Sequence, residues 1–422
     1  MALDLAYRKL SGADGRLFAD PQPAPDEISF QVDNTSAAYY DSAYYKLHKE
    51  DLQPVPEPQT ADPRVDLADV LQPKFVQAIT TKQQISFHAV GDTGAAKVNS
   101  FQTARQALEN EANVADAMAR DVQAGGATGP AFFFHLGDVV YNFGEGQYYY
   151  DQFYEPFRAY DRPIFAIPGN HDGMVFGDEP DLPRIPTLTA FLRNFCADEP
   201  SSSPDAGAIV RSTMNQPGVY FTLDAPFVSI VGLYTNVLES PGVISSQNGA
   251  YPTLAGDEQL HFLSAELARL APARKAGERA VIVACHHPPA SIDSKHGGSK
   301  GLAKDIDTAS RAAGFWPDAV LSGHAHLYQR FTRRVDGREI PYIVSGSGGF
   351  AATPPIRIPK TPITVGEYTL DKPPIVEFGY LTVTVDMTGR DHHLTITFND
   401  RTNTRTHDTT RLNLRTGKIL AR

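Results

Sequence analysis

Seven side chains of the kinds that hold hard or borderline metal ions stand at the ends of five apolar runs in this sequence. They are Asp92, Asp138 with Tyr141, Asn170, His286, and His324 with His326. The set comprises two carboxylates, a phenol, an amide oxygen and three imidazoles. Each lies beside glycine or proline, or in a sharp turn. Seven donors exceed what one tetrahedral ion takes. They suit two ions sharing a bridging carboxylate, a centre whose chemistry fits hydrolysis of phosphate esters. Taken singly, Asp92 reads as a turn residue or helix N-cap. Tyr141 alone reads as a packed aromatic, Asn170 as a turn former, and one of His324 and His326 as a core residue. Their joint occurrence outweighs these blander readings.

The elements that must position these groups follow from hydrophobic pattern. Ile85–Val90 predicts a strand running into Gly91-Asp92-Thr93-Gly94. A helix from about Ser100 to Gln123 follows, with Ala104, Ala107, Leu108, Ala112, Ala115, Met118, Ala119 and Val122 at helical spacing, and Gly125-Gly126 ends it. The aromatic run from Phe132 predicts a buried strand that ends at Gly137 beside Asp138. A Tyr-rich helix is expected from about Gln147 to Ala159. A third strand, Pro163–Ile167, leads into Pro168-Gly169-Asn170-His171-Asp172. Alternating strands and helices imply parallel strands with right-handed crossovers, and in such sheets ligands gather at the carboxyl ends of strands.

Further on, Asp172–Pro217 reads as a long loop beside the site and Val219–Val231 as a hairpin turning near Asp224 and Pro226. Asp257–Leu270 reads as an amphipathic helix. Ala280–Cys285 predicts a strand into His286-His287-Pro288-Pro289, and Val320–Ser322 one into Gly323-His324-Ala325-His326. Tyr342–Val344, Phe378–Val385 and Leu394–Phe398 read as antiparallel strands of a second sheet. Residues 1–83, rich in Pro, Asp and Tyr, carry no chemical motif. They read as an arm or cap holding a short strand Ile28–Val32, a helix Ser36–Lys49, an extended Pro54–Pro63 linker and a short helix at Asp66–Leu71. Residues 84–422 then form one catalytic domain.

The 422 residues are 41% hydrophobic and 21% charged, which suits a protein with a sizeable core. A formal charge of −11 disfavours long polyanions, so no nucleic-acid partner is expected. Two cysteines, Cys196 and Cys285, make no disulfide framework. No apolar run approaches the roughly 20 residues that span a bilayer. Met1–Phe18 lacks the basic flank and apolar core of a secretory signal, so a cytoplasmic setting is expected, or an extracytoplasmic one if a leader has been removed.

The five motifs, in this order, resemble those of the calcineurin-like metallophosphoesterases, and within them the purple acid phosphatases. The matching residues are Gly91-Asp92-Thr93-Gly94, Gly137-Asp138-Val139-Val140-Tyr141, Gly169-Asn170-His171-Asp172, Val283-Ala284-Cys285-His286 and Gly323-His324-Ala325-His326. Most of that family has Asp-x-His at the first site. Here Gly94 takes the histidine position, and Tyr141 supplies the donor that purple acid phosphatases use in its place. The resemblance implies an α/β, four-layer α-β-β-α sandwich of two mixed β-sheets flanked by helices. It implies a first metal, Fe(III), on Asp92, Asp138, Tyr141 and His326. A second, divalent iron, zinc or manganese, would sit on Asp138, Asn170, His286 and His324, with Asp138 bridging. It makes His171 the acid that assists the leaving group, with Asp172 orienting or polarising it, and His296 a phosphate contact. The expected substrate is a small phosphomonoester. The alternatives are a phosphodiesterase, acting on cyclic nucleotides or glycerophosphodiesters, and a non-catalytic binding protein on the same fold.

Other chemically capable residues read as structural. His88 is expected to be a buried, hydrogen-bonded histidine, and His135 to pack or to brace the metal ligands. His287 shapes a loop and Cys285 is an inert core thiol. His392-His393 lies at the surface, and Tyr148-Tyr149-Tyr150 forms a packed helix face. Ser345-Gly346-Ser347-Gly348-Gly349 either cradles an anion or marks a tight turn near the metals.

Overall fold

The apolar runs pair into two sheets in the structure, a computed structural model. It describes residues 30–31, 54–94, 104–141, 144–173, 188–235, 242–248, 256–294, 296–352, 355, 360–402 and 405–420. The expected helix Ser36–Lys49 and most of Ile28–Val32 lie outside the described residues.

With strands numbered in chain order, the first sheet runs β1 (Arg64–Asp66), β5 (Phe221–Ala225), β6 (Val228–Leu233), β7 (Ala280–Cys285), β8 (Ala319–Ser322), β10 (Arg338–Ser345), β9 (Tyr328–Val335), β12 (Tyr368–Leu370), β11 (Ile363–Val365). The second runs β16 (Lys418–Ile419), β15 (Thr406–Asn413), β14 (His393–Asp400), β13 (Gly379–Asp386), β2 (Gln84–Val90), β3 (Phe133–His135), β4 (Ile164–Ala166). Both are mixed. The βαβ part is parallel as the alternation implies: β2 with β3, β3 with β4, β6 with β7, and β7 with β8.

The helices are α1 (Leu67–Val70), α2 (Pro73–Lys82), α3 (Ala104–Gly125), α4 (Thr189–Phe195), α5 (Glu258–Lys275) and α6 (Lys300–Ala313). Strand β7 shows why the layers stack. All six of its residues are buried, the mark of a strand covered on both faces. Ile282 and Ala284 join Phe87, Leu223, Leu321 and Leu381 in the core between the sheets. Val281, Val283 and Cys285, pointing the other way, meet Leu263 and Leu267 of α5 and Leu302 and Ile306 of α6. On the far side, Val114, Met118 and Val122 of α3 cover Phe133 and Ile164. Each buried Val, Leu, Ile, Phe or Met among these contributes about 1.5–3 kcal/mol. The result is the α-β-β-α sandwich. No helix among the described residues is long and apolar enough to cross a membrane.

Several expectations need correction. The antiparallel strands near the end do not make a sheet of their own. Strand β13 pairs with β2, so β13–β16 extend the sheet that carries Asp92. The Tyr-rich stretch is not a regular helix. It is a 3-10 turn, Gly146–Tyr148, followed by a wide π turn, Tyr150–Tyr154. Three consecutive residues of that turn, Gln152, Phe153 and Tyr154, are buried, more than one amphipathic stripe can cover. Tyr149 is buried too, but Tyr150 is exposed. The Asp172–Pro217 loop contains α4, and α6 follows the His286 loop, capped by Ser299 and ended by Gly314. Before residue 84, β1 pairs in parallel with β5, and Leu67, Leu71 and Ile79 share the core between the sheets.

Candidate metal centre

The backbone turns abruptly where three of the five motifs begin. Asp92, Asp138 and His324 adopt left-handed φ values of 60°, 56° and 68°. For non-glycine residues this costs about 1–2 kcal/mol each. Each follows a glycine at the carboxyl end of a strand, β2, β3 and β8 respectively. The turns interlock: Asp92 N–H donates to Gly137 O at 2.9 Å, and Gly323 N–H to His286 O at 3.0 Å. The glycines permit this approach. A Cβ at Gly137 would lie 2.6 Å from His286 Nδ1 and 2.7 Å from Gly169 N.

All seven candidate ligands converge, and none is more than 8% exposed. Tyr141 Oη sits between the two carboxylates, 3.0 Å from Asp92 Oδ1 and 2.9 Å from Asp138 Oδ2. His326 Nε2 lies 3.3 Å from Asp92 Oδ1. On the other side of Asp138, His286 Nε2 is 3.3 Å from Asp138 Oδ2 and 3.1 Å from Asn170 Oδ1. His324 Nδ1 is 3.0 Å from the same Asn170 oxygen. Ligand atoms of Asp138, His286 and His324 all lie within 4.8 Å of one another. Asp138 thus stands between two groups of donors.

The donor set fits a pair of cations. Burial opposes ionisation of Asp138, yet His286 and His171 outweigh it and hold the carboxyl well below its usual range. Burial alone would lower His286, but Asp138 and Asp92 raise it to about 9. His286 Nδ1 faces Leu136 O at 2.8 Å, which leaves Nε2 for the site, the tautomer a metal-binding histidine needs. Burial, then Asp138 and Asp92, push the Tyr141 phenol well above its ordinary value. Its proton bridges the carboxylates, and a cation there would displace it with more charge.

The three residues assigned to substrate chemistry also lie here. His171 donates its backbone N–H to Asp138 Oδ1 at 2.9 Å, and its half-buried ring is 4.3 Å from that of Tyr141. His296 is half-buried, with its ring 4.4 Å from His324 and 5.2 Å from His326. The buried Asp172 carboxylate accepts from Val139 N at 3.0 Å, Val140 N at 3.1 Å and Gly169 N at 2.9 Å. Those hydrogen bonds tie the second motif to the third rather than reaching the His171 ring. Burial and the nearby Asp138 push the Asp172 carboxyl up to about 7.

Several supporting residues escaped the motif reading. Gln152 holds Tyr141 through both its amide groups, each at 2.8 Å from the Tyr141 backbone. Phe350 stacks flat on Tyr141 at 3.5 Å. Asp293 grips His296. The signal for Asp293 was only its place three residues before a singled-out histidine.

His135 accepts from Gly137 N–H at Nδ1, so Nε2 donates to Thr93 Oγ1 at 2.9 Å, and burial holds the ring down at about 3. It braces the first two motifs as a neutral group. His88 is buried between Tyr160 and Asp121, as expected. His287 is buried, 2.9 Å from Thr235 Oγ1, with its ring 4.3 Å from His324. His392 and His393 are half-buried rather than on the open surface. The glycine-rich run is a tight turn: Gly91 N–H donates to Ser345 O, and Gly348 and Phe350 donate to Gly91 O and Asp92 O.

Comparison with known proteins gives a family and a fold. The calcineurin-like phosphoesterase family pattern matches residues 85–328, more than half of the chain. A purple acid phosphatase from yellow lupin (Lupinus luteus) seeds superposes with a TM-score of 0.50 at 14% identity, over 85% of this chain and 55% of that one. The chain therefore spans little more than half the length of the lupin protein. A dimetal phosphatase from Danio rerio gives a TM-score of 0.44 at 11% identity, over 78% of this chain and 99% of that one. At such identities the likeness concerns fold alone. No curated protein sequence matches the chain.

Proposed function

Because the chain belongs to the calcineurin-like phosphoesterase family, we propose that it is a dinuclear-metal phosphatase of the purple acid phosphatase kind, acting on small phosphomonoesters. The observation that carries the finer reading is the pairing of Gly94 with Tyr141. A Cβ at Gly94 would lie 2.5 Å from Gln152 Oε1 and 2.6 Å from Val139 O, so no histidine fits there. Tyr141 Oη occupies the space between the carboxylates instead.

In this reading Asp92, Asp138, Tyr141 and His326 hold one ion, Fe(III). Asp138, Asn170, His286 and His324 hold a divalent iron, zinc or manganese, with Asp138 shared. When bound, the two cations supply a water of lowered pKa and neutralise the phosphate oxygens. The chain does the rest. His171, beside the shared carboxylate and partly open to solvent, donates a proton to the departing alkoxide. Asp172 holds the turn that keeps the His171 N–H on Asp138. His296 contacts the phosphoryl group from beside His324 and His326. Residues 1–83 act as an arm on the 84–422 catalytic domain, completing its sheet through β1.

The test compares turnover of p-nitrophenyl phosphate and bis(p-nitrophenyl) phosphate by protein of measured metal content. Two metals per chain and a preference for the monoester are expected. Preference for the diester would replace the reading with a phosphodiesterase. Absence of hydrolysis at full metal content would leave a binding protein on this fold.

A further inference from the structure

Outside the seven ligands, one buried acid reaches toward the site with no role assigned to it. Asp293 is fully buried. Its Oδ2 accepts the His296 backbone N–H at 3.0 Å and lies 2.9 Å from His296 Nδ1. A carboxylate only accepts, so Nδ1 carries the proton. The same ring lies beside His324 and His326, 4.4 Å and 5.2 Å away between ring centres.

The loop is constructed around this pair. Ile292 and Gly297 form an antiparallel bridge on either side of this pair. Asp293 N–H donates to Ser291 Oγ at 3.1 Å. Gln329 clamps the same strand, accepting from Ile292 N at 2.8 Å and donating to Ser291 Oγ at 2.9 Å. Ser291 N–H in turn donates to Phe30 O at 2.9 Å. Among the described residues, Asp293 Oδ1 meets no hydrogen-bond donor. A buried carboxylate with one oxygen unpaired is unfavourable, and the other oxygen is spent on the backbone and the ring of His296.

We propose that Asp293 is the positioning residue of His296: its carboxylate fixes the Nδ1–H tautomer and the ring plane, so that Nε2 is presented to the phosphoryl oxygens of the substrate. The inference rests on the phosphoesterase reading of the site for what Nε2 meets, but not for the tautomer itself.

Two measurements keep those parts separate. Two-bond 1H–15N NMR, at a pH where the ring is neutral, should find His296 protonated at Nδ1 in the wild type. Asp293→Asn keeps an acceptor oxygen and should keep that tautomer, while Asp293→Ala should show a mixture. In kinetics on p-nitrophenyl phosphate, Asp293→Ala should raise KM about tenfold, as for loss of a charge-assisted hydrogen bond, with a smaller change in kcat. Asp293→Asn should stay within about threefold of wild type, a margin small against that loss. Adding Asp293→Ala to His296→Ala should cost nothing more, because the acid acts through the ring. Additive losses in the double variant, or a wild-type ring protonated at Nε2, would overturn the proposal. Where Asp293→Ala does not fold, the wild-type tautomer and Asp293→Asn decide: an Asn variant as impaired as His296→Ala also overturns it. An inactive wild type with the Nδ1–H tautomer faults the phosphoesterase reading and upholds the Asp293–His296 geometry.

Discussion

Adding one methyl group at Gly323 tests whether close backbone approach sets the metal geometry. The Cβ of Gly323→Ala would lie 2.7 Å from Asp92 Oδ2, 3.1 Å from Leu136 O and 3.3 Å from His286 Nδ1. Ordinary contact begins at 3.4 Å, so the Asp92 carboxylate must give way by about 0.7 Å. That oxygen also accepts His324 N–H at 2.8 Å, so the push spreads to a ligand of the proposed second ion. Overpacking of this kind costs about 1–3 kcal/mol. A misplacement approaching 1 Å at a reacting centre costs about a hundredfold, so kcat/KM should fall roughly ten- to a hundredfold, with weaker metal retention. Gly337→Ala is the control. Gly337 has φ +73° and nothing within 4 Å, so it should lose about 1 kcal/mol through its backbone alone and keep its activity. Urea unfolding, metal analysis and hydrolysis of p-nitrophenyl phosphate measure the three quantities. A Gly323→Ala protein with full metal content and kcat/KM within about threefold of wild type, far short of a hundredfold, would refute the reasoning.

Tyr141→Phe removes the phenol between Asp92 and Asp138. It should abolish the visible tyrosinate-to-iron absorption expected of the purified protein, and a colourless wild type holding no iron would remove the Fe(III) assignment. Asp408 gives a pH prediction away from the site. Burial pushes its carboxyl up, but the hydrogen bond from Lys372 and the charge of Arg330 outweigh this and hold it below the usual range. A carboxyl depressed in the folded state contributes stability above its unfolded pKa of about 3.9, lost as pH falls through the folded value. Asp408→Asn should therefore cost about 2 kcal/mol at neutral pH and flatten the loss of stability below about pH 4. Parallel acid-unfolding curves for the two proteins would contradict this.

The convergence of the candidate metal ligands was legible because close packing leaves few residue choices at these turns. A chain that leaves a strand at φ near +60° beside another turn needs glycine at the contact, and Gly91, Gly137, Gly169 and Gly323 flag those points. The strands feeding them were legible because burial on both faces produces unbroken apolar runs such as Ala280–Cys285. Alternation at Phe378–Val385 identified a strand but carried no word of its partner, since pairing with β2 is a tertiary choice. The Tyr148–Tyr154 turns escaped because aromatic spacing does not distinguish a 3-10 or π turn from an α-helix. From its place beside His171, Asp172 reads as a residue that orients or polarises that ring. Only the folded chain puts the amides of Val139, Val140 and Gly169 around its carboxylate.

The strand bearing Asp92 is flanked by β3 on one side and by β13, some three hundred residues later, on the other. Synthesis proceeds from the amino end, so that strand keeps one hydrogen-bonding flank open until Asp386 has left the ribosome. Until then it presents bare amide and carbonyl groups to any other extended peptide. All seven candidate ligands, Asp92 to His326, are therefore made before the strand that carries the first of them gains its second partner.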